Sequence, residues 1–157
     1  MTYTRNPICG NFGKILPIQL PSEEDLITSL KKACADQGIR YGTILSTVGS
    51  VRKLTIEGVI LTDHGPDFGP PTVVEGCLQV VSLEGFIYDS EEGETTQHIH
   101  GVFADTEGNI YGGHVIEGET IIDHRFVTVI AEITGLKMTE RLHQDSGHLV
   151  MDVEPIK

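Results

Sequence analysis

Residues 97–116 read QHIHGVFADTEGNIYGGHVI, and this stretch decides the predicted fold. Two runs of strand-like character, Gln97–Ala104 and Asn109–Ile116, flank the turn-forming segment Asp105–Gly108. Strand-like runs separated by a few residues that include Gly are typical of a β-hairpin. We therefore predict two neighbouring antiparallel strands at this point of the chain.

The predicted hairpin brings three histidines together. His98 and His100 are two residues apart, so their side chains share one face of the strand. If Ala104 pairs with Ile110 across the loop, the same register pairs His100 with His114, with Cβ atoms about 4.5–5.5 Å apart. Three imidazoles with an open fourth position suit Zn²⁺ or another divalent metal of similar character. The alternative is a half-exposed sheet face whose histidines are each hydrogen-bonded to water.

Two residues on a later predicted strand could extend this site. His124 and Glu132 have the same parity within the run Thr120–Ile133. Either could act as a fourth metal ligand, as an outer partner of a ligand or as a general base, and either could equally be an ordinary polar residue. The sequence contains no nucleophile elbow, phosphate-binding loop or dinucleotide fingerprint. The other histidines lie in or near predicted loops and are assigned no role: His64, His143 and His148.

The clearest helix signal lies before the hairpin. Ser22 is a favourable N-cap, acidic residues follow it, and apolar residues recur at helical spacing up to Gly38. We predict a long helix over Glu23–Gln37. The segment Asp63–Pro71 is predicted as a loop, and Leu136–Leu142 as a short turn or helix. Further strands are predicted over Lys14–Leu20, Tyr41–Val48, Lys53–Thr62, Thr72–Tyr88, Thr120–Ile133 and His148–Val153.

These elements predict an α+β fold with a mainly antiparallel sheet, one long helix and short helices. Most connections are too short to hold a helical crossover between parallel strands. A length of 157 residues corresponds to one domain, taken as Met1 to Lys157. A chain of this size buries a substantial core without a disulfide framework or a structural metal.

The charge of the chain opposes nucleic-acid binding. It has 11 Lys and Arg against 23 Asp and Glu, a formal net charge of −12. Nucleic-acid affinity depends on cations that neutralise phosphates, and the densest groups here are two pairs, Lys31–Lys32 and Arg52–Lys53. We therefore predict that nucleic acid is not a partner.

Cysteine usage and hydropathy indicate a cytoplasmic protein without a membrane span. Cys9, Cys34 and Cys77 are an odd number and show no CxxC spacing, which is typical of reduced thiols rather than a disulfide framework or a thiolate zinc site. No segment approaches the run of about 18–20 apolar residues that a membrane span needs, and the N-terminus lacks a signal-peptide pattern.

Several segments, in order along nearly the whole chain, resemble the plants and prokaryotes conserved (PPC) domain. The most specific resemblance is an HxH strand, a turn and a GGH, here His98–His100, Asp105–Gly108 and Gly112–His114. Softer resemblances support it at Leu26–Gly38, Thr47–Val51 and Val80–Gly85. The chain is identified as a PPC-like protein of the prokaryotic stand-alone type.

The resemblance implies a compact α+β domain that assembles as a homotrimer. It also implies that some prokaryotic members hold a metal ion, usually taken as zinc, on the histidines that are here His98, His100 and His114. Plant members add a basic AT-hook and a Gly-Arg-Phe-Glu-Ile-Leu segment that contacts transcription factors. This sequence has no AT-hook core, and Gly76–Val81 lacks the Arg, Phe and Glu, so neither plant role is expected.

Three functions remain as hypotheses. The first is a trimeric metal-binding scaffold for interaction or regulation, with itself and a protein or small molecule as partners. The second is a metal-dependent lyase or hydrolase that uses a three-histidine zinc site, which would need a pocket with an acid or base beside the metal. The third is the DNA-binding role with which prokaryotic members are often labelled.

Overall fold

A computed structural model describes residues 7–63, 65–143 and 147–156. Within these ranges the chain forms one helix and ten strands. Their bounds are β1 Asn11–Leu20, α1 Leu26–Asp36, β2 Gly42–Glu57, β3 Val59–Thr62, β4 Gly65–Phe68, β5 Thr72–Asp89, β6 Thr95–Ala104, β7 Ile110–Val115, β8 Ile121–Thr134, β9 Leu136–Leu142 and β10 Leu149–Pro155.

Eight strands form one sheet in the order β1-β8-β2-β7-β6-β5-β9-β10, and β3 and β4 form a separate hairpin. β2 also pairs with β5, so β2, β5, β6 and β7 make a closed circuit of antiparallel pairings. Among the described strands, the parallel contact is between β5 and β9, at Asp89 and Thr139. The predicted α+β class with a mainly antiparallel sheet and one helix is confirmed.

The helix contributes its apolar face to the main core. Leu26, Ile27, Leu30 and Cys34 of α1 are fully buried in the same cluster as apolar residues of the sheet. Side chains at this spacing lie on one face of a helix, so the apolar stripe that predicted the helix is also the stripe that buries it.

The predicted start and length of the helix are wrong. α1 has 11 residues, and its N-cap is Asp25, whose carboxylate accepts a hydrogen bond of 2.8 Å from the Thr28 amide. Ser22 cannot cap it, because Glu23 has a φ of 67° and its amide donates to the Ile122 carbonyl at 3.0 Å. Because of this contact with β8, the helix begins only after the acidic residues, at Leu26.

Four other predictions of secondary structure need correction. The predicted strand Tyr41–Val48, apart from Tyr41, and the first part of Lys53–Thr62 belong to one strand, β2, which ends before Gly58. Asp63–Pro71, predicted as a loop, includes β4, which pairs with β3. Leu136–Leu142 is a strand rather than a turn or helix, since its residues pair with β10. The predicted short helices are not seen in the described parts of the chain.

The three cysteines have free thiols, as the odd count and spacing predicted. Cys34 is buried, whereas Cys9 and Cys77 are exposed. Burial raises the pKa of the Cys34 thiol to about 11, which keeps it protonated and unreactive. The described residues include no helix with the length and apolar character that crossing a bilayer requires.

Candidate metal centre

The hairpin of β6 and β7 has the predicted register. Ala104 lies opposite Ile110, and His100 lies opposite His114. Asp105 fixes the loop, because one of its carboxylate oxygens accepts from the amides of Glu107 and Asn109 at 2.9 Å each. The side chain of one aspartate therefore sets the turn that aligns the histidines.

Three imidazoles meet on one face of this hairpin. Their ring centroids are separated by 4.8 Å for His98 and His100, 4.9 Å for His98 and His114, and 5.6 Å for His100 and His114. One nitrogen from each ring lies within 4.8 Å of the others, and the Nε2 atoms of His98 and His100 are 3.1 Å apart. This spacing allows three nitrogens to converge on one cation.

The protonation state of the rings suits metal binding. Burial, followed by the neighbouring charges of His98 and His100, lowers the pKa of His114 to about 4. Partial desolvation by its neighbours, and then the charge of His100, lower the pKa of His98, whose side chain remains exposed. Metal ions bind the neutral imidazole, which these shifts favour near neutral pH.

An unsatisfied atom provides a separate test of whether a metal fits. The Nδ1 atom of His114 is buried and has no hydrogen-bond partner among the described residues. A buried polar atom without a partner is unusual and points to a bound ion or water. A cation bound at this nitrogen would supply the missing partner, so the donor set is compatible with a metal.

Two glycines allow the strands to approach closely at the centre. A Cβ at Gly113 would lie 2.4 Å from the Glu57 carbonyl oxygen of β2. Gly85 of β5 has a φ of +151°, and a Cβ there would lie 2.2 Å from the His98 carbonyl oxygen. Both obstacles are backbone atoms, so side chains at these positions would force apart the strands that carry the histidines.

The structure does not bring the two additional candidates into the histidine group. The Nδ1 atom of His124 lies 2.5 Å from Asp123, and the His124 side chain is 88% exposed. The Glu132 carboxylate accepts a hydrogen bond of 2.9 Å from the Lys14 amide. Among the described residues, the group of converging ligand atoms consists of His98, His100 and His114. His64 lies outside the described residues.

Three residues that were not predicted from the sequence lie around the histidines. Glu84 of β5 pairs with His100, and Glu57 of β2 pairs with His114, so carboxylates flank the row of rings on both sides. Phe68 of the β3–β4 hairpin places its ring centroid 5.8 Å from that of His114. These neighbours come from distant parts of the chain, and no local motif marks them.

The family model of the Plants and Prokaryotes Conserved domain, abbreviated PCC or PPC, matches residues 8–134. Solved structures of similar fold cover nearly the whole chain. A metal-containing protein from Archaeoglobus fulgidus has a TM-score of 0.80 and 18% identity over 93% of this chain and 98% of its own. A PPC protein from Pyrococcus horikoshii has a TM-score of 0.77 and 22% identity over 98% and 99%.

A third structure of similar fold, from Bacteroides thetaiotaomicron, is named as a proposed DNA-binding protein. It has a TM-score of 0.73 and 16% identity over 91% of this chain and 96% of its own. Identities at this level establish a shared fold alone.

Curated relatives contain a segment like this chain within a longer protein. A bifunctional protein GlmU from a Synechococcus strain is 26% identical over 143 residues, which is 91% of this chain and 21% of that protein. GlmU from a second Synechococcus strain is 24% identical over the same lengths. The chain thus spans about a fifth of the length of these relatives.

Proposed function

This chain belongs to the Plants and Prokaryotes Conserved domain family, and from that premise we propose that it is a homotrimeric metal-binding protein that serves as an interaction or regulatory scaffold. The convergence of His98, His100 and His114 carries the metal-binding part of the proposal. The remaining parts, the trimer and the scaffold, have separate support.

Zinc is the metal that we propose for the three imidazoles. A set of three neutral nitrogens without a thiolate suits zinc and other divalent ions of borderline softness. When bound, such an ion supplies a positive charge and at least one open coordination position. The chain's own contribution is to favour the neutral form of His98 and His114 and to fix the orientation of the rings through the β6–β7 register.

An exposed apolar pair on the sheet supports self-association. Val48 of β2 and Val127 of β8 lie opposite each other and are 71% and 44% exposed. Paired apolar side chains on an open sheet face favour burial against another molecule. The pair therefore supports self-association, and the number of three subunits rests on the resemblance to the family.

The curated relatives support the scaffold role. In them, a segment similar to this chain accompanies a bifunctional protein. A domain combined with other functions within one polypeptide is suited to assembly or regulation, since a trimer would bring attached partners together by symmetry.

The metal proposal is tested by replacing one ligand. Wild-type protein purified without a His-tag should carry about one zinc per chain, and His100→Ala should carry almost none, because His100 lies between His98 along the strand and His114 across the ladder. His124→Ala is the matched control and should keep its zinc. Both variants should retain the circular dichroism of wild type. Equal zinc in wild type and His100→Ala would refute the site.

A metal-dependent enzyme, a lyase or a hydrolase, is a second candidate because a depression lies next to His100. It has a volume of about 270 Å³, and the Glu84 carboxylate borders it. A pocket beside a metal with a potential acid or base is the arrangement that catalysis needs. Turnover of an ester or a small carbonyl compound that requires zinc and is lost in His100→Ala would favour the enzyme over the scaffold.

A further inference from the structure

Strand β5 contains a one-residue irregularity opposite the histidine hairpin. Val80 pairs with Phe103, and the next pair joins Ser82 to Val102, so Val81 is an extra residue without a partner on β6. Its side chain is 60% exposed. An insertion of this kind is a β-bulge, and bulges next to binding sites change the direction in which the following side chains point.

The bulge places Glu84 on the histidine face. In an unbroken register, Glu84 would lie opposite Ile99, which is fully buried, and Leu83 would lie opposite His100. Because a shift of one residue exchanges the two faces of a strand, the extra residue instead pairs Glu84 with His100 and leaves Leu83 buried. The carboxylate is therefore directed to the metal-binding side.

Ser82, the residue that follows the bulge, orients the carboxylate of Glu84. The Ser82 hydroxyl donates a hydrogen bond of 3.0 Å to the Oε1 atom of Glu84. An ionised carboxylate has lone pairs for several donors, so this bond leaves the other oxygen able to accept from a ligand. Ser82 thus acts as a positioning residue for Glu84.

Space for a ligand exists beside Glu84 and His100. The depression of about 270 Å³ is lined by Ser82, Glu84, His100, Gly101, Val102, Gly112 and Gly113. The glycines contribute no side chains, so the volume beside His100 stays open. This volume is just below the range of drug-sized pockets, which suits a molecule of few heavy atoms.

We propose that this depression binds a small oxygen ligand that carries a hydrogen-bond donor beside its metal-binding oxygen, and that Glu84 accepts the hydrogen bond from that donor. The proposal rests on the metal site of the preceding section. The three histidines leave a coordination position for the ligand oxygen. Glu84 selects against ligands without a donor. Such a ligand would displace water from the carboxylate without replacing the hydrogen bonds that the water made.

Cobalt provides a spectroscopic test that does not depend on activity. We load the protein with Co²⁺ and titrate it with acetohydroxamic acid, whose oxygens bind metals and whose N–H is a donor. Wild type should show a saturable change in the visible Co²⁺ bands. Glu84→Gln should weaken this binding about tenfold, because it removes a charge-assisted acceptor. Glu75→Gln, an exposed carboxylate elsewhere on β5, is the matched control and should bind like wild type.

Two further measurements separate the pocket from the carboxylate. A Cβ at Gly112 would meet its nearest atoms at 3.5 Å, an ordinary contact, so Gly112→Val should fold, keep Co²⁺ and lose acetohydroxamate binding because it fills the depression. Acetate, which lacks a donor when ionised, should bind no more weakly to Glu84→Gln than to wild type.

The outcomes distinguish this proposal from the one on which it rests. If wild type retains Co²⁺ and acetohydroxamate binds equally to wild type, Glu84→Gln and Gly112→Val, the ligand pocket is refuted while the metal site stands. If wild type retains no Co²⁺, the metal site is refuted, and the pocket proposal with it.

Discussion

His114 is a residue at which burial opposes protonation strongly. Its pKa is lowered to about 4, whereas the ordinary value is 6.5. Between these values the unfolded chain binds a proton at this ring and the folded chain does not. The stability of the metal-free protein should therefore rise with pH across this interval, and it should be lost as pH falls from about 6.5 towards 4.

Thermal melting in the presence of a chelator measures this effect. The decrease in Tm between pH 7 and pH 4.5 should be smaller in His114→Gln than in wild type, because glutamine removes the titrating group. The comparison with wild type separates this contribution from the carboxylates that titrate in the same range. His124→Gln, which changes an exposed ring, should match wild type. An identical decrease in wild type and His114→Gln would contradict the assignment.

Single residues also show which parts of the candidate site could be predicted from the sequence and which could not. The alternation of His98 and His100 and a turn signal at Asp105 suffice to predict three converging rings, because a short hairpin fixes its own register. Glu84 was not predictable. Its face depends on a bulge in β5 and on a pairing with β6, and neither leaves a local pattern in the sequence.

At the scale of the element, Asp25 joins the helix to the sheet. One carboxylate oxygen accepts from the Thr28 amide at 2.8 Å, and the other accepts from the Thr120 amide at 3.1 Å, next to the start of β8. Asp25→Ala should lower the free energy of unfolding by about 1–2 kcal/mol, since it removes an N-cap and a second bond to a backbone amide.

Ser22→Ala is the matched control for Asp25→Ala. Ser22 has the sequence signature of an N-cap, but it is exposed and precedes the helix by four residues. Urea denaturation should show a change within about 0.5 kcal/mol for this variant. A larger loss at Ser22 than at Asp25 would mean that the helix begins where the sequence pattern indicated.

Elements with their own periodicity were predictable, and elements defined by distant partners were not. The apolar stripe of α1 and the runs of β1, β5, β6 and β8 carry local signals. The segment of β9, Leu136–Leu142, contains residues that favour helices, namely leucine, lysine, methionine and glutamate. It nevertheless forms a strand that pairs with β10, and its residues Leu136 and Met138, two positions apart, are buried. Pairing with β10 therefore outweighs the helix propensity of this segment.

For the whole molecule, we expect a trimer. Light scattering should give about three times 17.1 kDa at micromolar concentration. Val48→Asp should reduce the mass, because a charge in the exposed Val48–Val127 pair would be costly to bury between copies. A monomeric mass for wild type would overturn the trimer, and a trimeric Val48→Asp variant would place the interface on another surface.

The charge of the whole molecule predicts weak binding to duplex DNA. The two cation pairs are already engaged with acids: Lys31 with Glu117 at 3.0 Å, Lys32 with Asp36 at 2.5 Å, Arg52 with Glu23 at 2.6 Å and Lys53 with Glu119 at 3.8 Å. With a net charge of −12, contact with phosphates would first have to break these pairs. Sub-micromolar affinity in a gel shift at near-physiological salt would show this electrostatic argument to be wrong.

The bulge at Val81 also affects how this chain should be compared with its relatives. Removing Val81 would leave the pairs of β5 with β6 unchanged from Ser82–Val102 onward, but it would shift Phe86 and Ile87 out of their pairs with Thr43 and Gly42 of β2. A relative that lacked this residue would therefore need a matching change in β2. In an alignment displaced by one residue at this position, the buried Leu83 would take the place of Glu84.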